Sequence, residues 1–199
     1  MPAAVAVGQP RLAQTRVKPR GATLRGTFGM INITFSTAQL LLRAFTVDDA
    51  EAYWPLVRDP QILRYTGEQP CTSVEQVRQL LQERPLRDYA LHGYGRMACI
   101  EKSSGRLVGF SGLKFLEDLQ EVDIGYRFLP QCWGKGYATE SARALLAEGV
   151  ATHRLTRIIG LVMPENTASA NVLKKLGLQL EARIQLAGEE LDRYAMQLS

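Results

Sequence analysis

The chain has 199 residues, of which 46% are apolar and 22% are charged, and its formal net charge is +4. These values are ordinary for one globular domain. No apolar run approaches the roughly 20 residues that cross a bilayer, so we expect no contact with membranes. The 3 cysteines show neither metal nor redox spacing, which predicts a reduced, cytoplasmic chain without a metal site.

The first segment, residues 1–36, is predicted to be a disordered basic arm. It holds five basic residues, no acidic residue and no hydrophobic period. Nucleic-acid binding is an alternative, but the basic residues lack interleaved aromatic side chains, so we do not expect nucleic acid as a partner. A start at Met30 is a second alternative, in which the earlier residues are an upstream extension. Residues 37–199 are predicted to form one domain.

The domain begins with a predicted strand over residues 39–44 and two helices. Thr46 suits the N-cap of the first helix, because its side chain can accept a hydrogen bond from a free N–H group of the first turn. Ser73 and Gln76 form a capping-box pattern at the start of the second helix. Pro85 is predicted to end that helix, since it has no N–H group to donate.

Three strands are predicted next, over residues 96–101, 106–113 and 121–129. The third strand alternates strictly, with Val, Ile, Tyr and Phe at its even positions and Glu, Asp, Gly and Arg at its odd positions. A helix over residues 137–151 follows, because Ala and Leu recur there at helical spacing.

Gly134 and Gly136 lie in the turn between that strand and that helix. Glycine allows positive φ and a close approach of backbone to a ligand, and the first N–H groups of a helix lack partners within it. The turn is therefore a candidate anion site, reinforced by the helix dipole. The alternative is a glycine turn without a ligand. The spacing fits neither the P-loop nor the dinucleotide-binding fingerprint.

A buried strand over residues 157–163 completes a parallel βαβ unit with the strand over 121–129. A short helix then opens at Asn166 or Thr167 and closes at Gly177. The last residues are predicted to pair as a hairpin. Since ligands of open α/β sheets lie beyond the carboxyl ends of strands, the glycine turn and the Asn166 helix are predicted to lie side by side.

With both stretches in view, the chain resembles the Gcn5-related N-acetyltransferases, in the branch of the bacterial ribosomal-protein N-terminal acetyltransferases. The pattern Gln131-x-x-Gly134-x-Gly136-x-Ala138 resembles their pyrophosphate loop, and Asn166-x-x-Ser169 resembles their next helix. The resemblance covers residues 37–199. It implies a mixed α/β fold with a mostly antiparallel sheet, in which one parallel βαβ unit is splayed around the cofactor. It also implies a monomer or a homodimer.

The resemblance implies an acetyl-CoA-dependent N-acetyltransferase. It would transfer acetyl directly, in a ternary complex, to a primary amine, either a protein N-terminal α-amine or a small-molecule amine. The implied cofactor contacts are the strand backbone at Phe128 and Leu129, the helix residue Asn166, and the loop and first helical turn at Gln131, Gly134, Lys135, Gly136, Tyr137, Ala138 and Thr139. Relatives often have Arg where Gln131 stands, which removes one charge partner of the diphosphate.

Asp123 and Glu121 are the candidates for the general base, although relatives often have Glu at the Asp123 position. Pairing with basic neighbours such as Arg127 is the alternative reading of both. Ser169 is the implied hydrogen-bond donor to the departing thiolate. A second function class, a non-catalytic acyl-CoA sensor, would keep the loop and dispense with Asp123 and Ser169.

The loops near residues 60–72 and 85–94 are expected to select the acceptor amine. They and the adjoining helix ends carry charges of both signs, which does not favour a strongly cationic acceptor. These residues are Arg58, Arg64, Glu68, Arg84, Arg87 and Asp88.

Overall fold

One eight-stranded sheet runs through the molecule, and the computed structural model describes residues 34–198. The strands lie in the order β1-β2-β3-β4-β5-β6-β8-β7. Their bounds are β1 Thr34–Ser36, β2 Leu40–Arg43, β3 Arg96–Glu101, β4 Leu107–Leu116, β5 Glu121–Phe128, β6 Arg157–Val162, β7 Gln179–Leu186 and β8 Glu189–Gln197. Within residues 34–198, six α-helices accompany them, namely α1 Ala50–Arg58, α2 Pro60–Leu63, α3 Val74–Leu81, α4 Arg87–His92, α5 Tyr137–His153 and α6 Thr167–Leu176.

The sheet is antiparallel except between β5 and β6, which are parallel and are joined by α5. This confirms the predicted mixed fold with one parallel βαβ unit. Whereas β4 pairs with β5 along the whole of β5, β5 and β6 share a single register pair, Asp123 opposite Ile159. Beyond that pair the two strands separate toward their carboxyl ends. We call this opening the splay.

The two faces of the sheet bury different surroundings around β5. Because side chains alternate along a strand, the even positions form one face, where Ile124 belongs to an apolar cluster with Ala142 and Leu146 of α5. The odd positions form the other face, where Arg127 reaches the Leu56 carbonyl of α1 at 3.5 Å. Helices α1 and α4, which both contact β4, therefore lie over this polar face.

The prediction that Pro85 ends the second helix is wrong. A π turn over Gln82–Leu86 connects α3 to α4 and contains Pro85, and the helical segment continues to His92. A π turn bonds each N–H group one residue further back than an α-helix does, which relieves the clash of the proline ring with the preceding carbonyl. Gly93 ends the segment with φ +74°.

Residues 1–33 lie outside the described part of the chain, so the predicted arm stays a prediction there. Its last three residues, Thr34–Ser36, form β1 on the edge of the sheet rather than part of an arm. The tight turn after them is fixed by Glu140, whose Oε1 accepts hydrogen bonds from Thr37 Oγ1 at 2.6 Å and from Gln39 N at 2.7 Å. This links the start of the sheet to the first turn of α5.

Candidate active site

The turn between β5 and α5 has the backbone geometry of an anion site. Gly134 has φ +78° and Gly136, the N-cap of α5, has φ +83°. A Cβ atom on either glycine would meet no atom within 4 Å, so both face open space. Among residues 34–198 no acceptor pairs with the N–H groups of residues 134–139. These groups and the positive end of the α5 dipole favour a bound anion.

Charged side chains beside this turn are already paired. Lys135 Nζ lies 3.2 Å from Glu101 Oε1, and Tyr137 Oη donates to the same oxygen at 2.5 Å. The hydrogen bond from Tyr137, with those from Ser104 and Lys135, lowers the pKa of Glu101 to about 2. The turn therefore offers a ligand its backbone N–H groups, while Lys135 is held toward Glu101.

The end of β5 presents one of its two predicted backbone contacts to the splay. The Leu129 N–H group donates to the Val108 carbonyl of the β4 side at 2.9 Å, so it is not free for a ligand. Peptide groups alternate in direction along a strand, and Phe128 therefore faces β6. Its carbonyl accepts a 2.8 Å hydrogen bond from Trp133 Nε1.

The two candidate bases, two residues apart on the same face of β5, lie in different surroundings. Glu121 Oε2 is 3.0 Å from Arg157 Nε and its Oε1 is 3.8 Å from Arg193 Nη1. Asp123 stands at the vertex of the splay, where its Oδ1 accepts the Leu161 N–H group at 3.1 Å. Among the described residues its Oδ2 has no hydrogen-bond partner. Asp123 is thus the carboxylate with a free oxygen at the splay.

Burial raises the pKa of Asp123 above its ordinary value. The charge of Arg96, the Leu161 N–H group and the charge of Lys114 oppose this rise only in part. A carboxylate with a raised pKa is a stronger base than one in water. A raised pKa and a free carboxylate oxygen are properties that a general base requires.

Ser169 and Asn166 lie across the splay from β5, at the start of α6. Asn166 Oδ1 accepts the Ser169 N–H group at 3.1 Å, as an N-cap does. Ser169 Oγ lies 3.2 Å from Tyr126 Oη, and Tyr126 Oη donates to the Ser169 carbonyl at 2.8 Å. The asparagine side chain is therefore a helix cap, while the serine hydroxyl reaches β5.

Tyr126 is a site residue that the sequence analysis did not single out. Burial raises the pKa of its phenol strongly, so the group stays protonated and can donate. The available signal was its place on β5, where it is the one side chain with a polar tip on a face otherwise formed by Val122, Ile124 and Phe128. Periodicity identified the face without showing that the phenol bridges to α6.

A tightly bonded group, the paired cluster, lies further along the polar face. It consists of Glu68, Arg84 and Arg127. Glu68 Oε2 is 2.7 Å from Arg127 Nη2, and its Oε1 bonds Arg84. Burial alone would raise the pKa of Glu68, but the charges and hydrogen bonds of the two arginines lower it to about 2. Arg127, named above as a partner for Asp123 or Glu121, thus pairs with Glu68.

Residues 39–179 match the family described as the acetyltransferase (GNAT) domain. The chain belongs to the GNAT acetyltransferase family. It is 32% identical over 150 residues to the uncharacterised N-acetyltransferase p20 of Bacillus licheniformis, covering 74% of this chain and 83% of that protein. These matches confirm the family resemblance and make the protein an acetyltransferase enzyme.

Solved structures agree with this assignment. A GNAT-family acetyltransferase of Bacillus anthracis superposes with a TM-score of 0.69 at 27% identity, over 83% of this chain and 98% of that chain. The spermidine N-acetyltransferase of Vibrio cholerae, solved with CoA and spermine, shares the fold at 19% identity with a TM-score of 0.66, over 80% of this chain and 96% of that one. Within residues 34–198, no helix of this GNAT protein is long and apolar enough to cross a bilayer.

Proposed function

We propose that this GNAT protein transfers the acetyl group of acetyl-CoA directly to a primary amine while both substrates are bound. The observation that carries the proposal is the turn over residues 134–139, where two open glycines adjoin the splay and the N–H groups have no partner in the described part of the chain. A diphosphate fits there, because it supplies the acceptors that these donors lack. When bound, acetyl-CoA supplies an activated acetyl thioester.

The residues of β5 support an assignment of the remaining chemistry along the splay. From Phe128 back to Asp123 is five residues, or about 17 Å of extended strand. The phosphate site is therefore at one end of this stretch and the free oxygen of Asp123 at the other. We assign the general base to Asp123, which would accept a proton from the attacking amine. Glu121, held by Arg157 and Arg193, would contribute to stability instead.

Ser169 and Tyr126 form the donor side of the site in this proposal. A thiolate has a pKa near 8.5, so it needs hydrogen bonds more than a proton. The Ser169 hydroxyl supplies such a bond, and Tyr126 holds the first turn of α6 at the right distance from β5. Ser169 and Tyr126 are 43 residues apart in the chain but are in hydrogen-bond contact at the splay.

The experiment is calorimetric titration with acetyl-CoA, followed in the same samples by thiol release against a panel of amines and N-terminal peptides. We expect Gly134→Val to lose at least about tenfold in affinity, because valine tolerates φ +78° poorly and blocks the backbone donors. Gly188→Val is the matched control, since Gly188 also has positive φ (+87°) and open space but lies in the β7–β8 turn.

Three outcomes separate the readings. Binding that is lost in Gly134→Val and kept in Gly188→Val, together with thiol release, supports the proposal. Binding without turnover on any acceptor favours the acyl-CoA sensor. Equal affinity for acetyl-CoA in the parent, Gly134→Val and Gly188→Val would show that the turn does not bind the diphosphate.

A further inference from the structure

Four charged side chains lie together on the polar face of the sheet beneath α4, and we call them the open cluster. They are Asp88 of α4, Arg96 of β3, Lys114 of β4 and Asp123 of β5. Lys114 is in register with Asp123, and Arg96 is in register with Gly112, which in turn pairs with Gly125. Within residues 34–198 none of the four forms an ion pair within 4.0 Å.

This lack of pairing needs a physical reason, because charges shielded from water are normally paired or hydrogen-bonded. Burial shifts three of the four groups toward their neutral forms, since it raises the pKa of Asp88 and of Asp123 and lowers the pKa of Lys114. The charges of Arg96 and Lys114 act on both carboxyl groups, Asp88 and Asp123, so the two cations are neighbours of each carboxyl group.

Arg96 is the member whose geometry points most directly to a ligand. Its Nε atom is buried and has no hydrogen-bond partner among residues 34–198. Its guanidinium carbon lies over the Phe110 ring, 5.2 Å from the centroid, a contact that does not use the Nε donor. An unsatisfied buried donor is unfavourable, and a ligand that supplies an acceptor removes the penalty.

Gly125 places that guanidinium beside the proposed base. A Cβ atom on Gly125 would lie 3.5 Å from Arg96 Nε, 3.6 Å from Arg96 Nη2 and 3.6 Å from Asp123 Oδ2. The Nε–Nη2 edge of the Arg96 guanidinium and the Oδ2 atom of Asp123 thus both lie beside Gly125, and they form no hydrogen bond with each other among the described residues. A small molecule bound at this point would meet both charges at once.

We propose, on the basis of the function proposed above, that the acceptor is an amine with a carboxylate or phosphate a few bonds from its amino group. Arg96 binds the anion through its planar fork, Lys114 adds a second positive charge, and Asp123 faces the amino group. Arginine matches the geometry of carboxylate and phosphate oxygens in two parallel hydrogen bonds. A polyamine fits poorly, because it would place cations against Arg96 and Lys114.

The test compares acceptors in matched sets with the full-length protein saturated with acetyl-CoA. Each set holds an α-amino acid, its aminophosphonate analogue, its α-carboxamide and its decarboxylated amine, with spermidine and N-terminal peptides as further arms. We expect kcat/KM by thiol release to be at least about 100-fold higher for an anion-bearing amine than for its decarboxylated partner. The carboxylate and phosphonate arms show which anion the site prefers.

The variants are Arg96→Gln and Arg96→Lys, with Arg78→Gln as the control. Arg78 is exposed on α3, where it pairs with Glu75 at 3.3 Å, and it belongs neither to the open cluster nor to the acceptor loops. We expect Arg96→Gln to reduce the preference for the anion by about 10- to 100-fold. Arg96→Lys keeps the positive charge but loses the planar guanidinium, so its preference for the anion should lie between those of the parent and Arg96→Gln. It replaces Arg96→Gln in the test if that variant does not fold.

A binding measurement without turnover completes the test. The preferred anion-bearing amine is titrated into each protein saturated with coenzyme A, and its affinity should fall in Arg96→Gln and stay unchanged in Arg78→Gln. A decarboxylated amine, spermidine or a peptide accepted as well as the amino acid would overturn the inference and leave the acetyltransferase proposal standing. The inference would be overturned in the same way if Arg96→Gln kept the parent's preference for the anion-bearing amine. Acetyl-CoA binding without thiol release for any acceptor would instead refute the proposed function, and this inference with it.

Discussion

The two charged clusters on the polar face of the sheet differ in a way that separates stability from function. Phe110 lies between them, with the Arg96 guanidinium 5.2 Å and the Arg127 guanidinium 5.3 Å from its ring centroid. In the paired cluster, Glu68 satisfies both of its arginines at contact distance. In the open cluster no such contact exists among the described residues.

A cluster that is fully paired needs nothing from outside the chain and contributes to the folded state. A cluster that is shielded but unpaired destabilises the folded state, and it becomes satisfied only when a ligand of complementary charge arrives. The same face of one sheet therefore holds a structural group of charges and, a few residues away, a group suited to binding.

Asp123→Asn gives the largest expected effect and tests the open cluster. Loss of a general base should lower kcat/KM by about 10²- to 10⁴-fold. Burial raises the folded-state pKa of Asp123 above the unfolded value, so its ionisation destabilises the protein as pH rises between the two values. At pH 7 the variant should therefore unfold at a higher temperature than the parent, and this difference should vanish below about pH 3.9.

Glu121→Gln is the control for that experiment, because Glu121 lies on the same strand face but is bound by arginines. We expect its kcat/KM to stay within about threefold of the parent. In the parent, kcat/KM should rise with pH until Asp123 is ionised. A larger loss of activity in Glu121→Gln than in Asp123→Asn would assign the base to Glu121.

Glu68→Gln breaks the paired cluster and should act on stability first. The folded-state pKa of Glu68 is about 2, against an ordinary value of 4.5. This corresponds to about 3 kcal/mol of stability. Because the pKa is lowered on folding, the contribution is present above about pH 4.5 and is lost as pH falls toward 2. Urea unfolding of parent and variant at pH 7, 4 and 2.5 measures this contribution as a difference in unfolding free energy. A difference that does not become smaller as the pH falls would contradict the pairing of Glu68 with its arginines.

Tyr126→Phe has the smallest expected effect and tests whether the site extends across the splay. It removes the phenol that donates to the Ser169 carbonyl and lies beside the Ser169 hydroxyl. We expect a loss of about 1 kcal/mol in unfolding free energy and of about five- to tenfold in kcat, with acetyl-CoA affinity unchanged. Ser169→Ala should match it in kcat. An unchanged kcat in both variants would leave α6 without a part in the chemistry.

The βαβ unit and its glycine turn were predictable because local rules decide them. Strict alternation fixed β5, helical spacing fixed α5, and positive φ at Gly134 and Gly136 requires glycine. The π turn at Pro85 was not predictable, since proline ends helices in most settings and its accommodation here depends on surrounding structure. The β1 strand was missed because three residues carry too little periodicity.

The charged part of the site shows where sequence reasoning stops. Asp123 was identifiable from its place on β5, but nothing local distinguishes it from Glu121. The difference comes from Arg157 and Arg193 on strands that join the sheet much later in the chain. Arg96 was missed for the same reason, because its importance depends on strand register and on the missing side chain of Gly125.

The hydrogen bond between Trp133 and the Phe128 carbonyl has a practical consequence. Trp133 is one of only 2 tryptophans, it is 49% exposed, and its indole N–H bonds the strand end beside the glycine turn. The other, Trp54, bonds the Cys71 carbonyl between α2 and α3. In a Trp54→Phe protein all tryptophan fluorescence would therefore come from Trp133 beside the glycine turn, so that ligand binding there could be followed optically without any label.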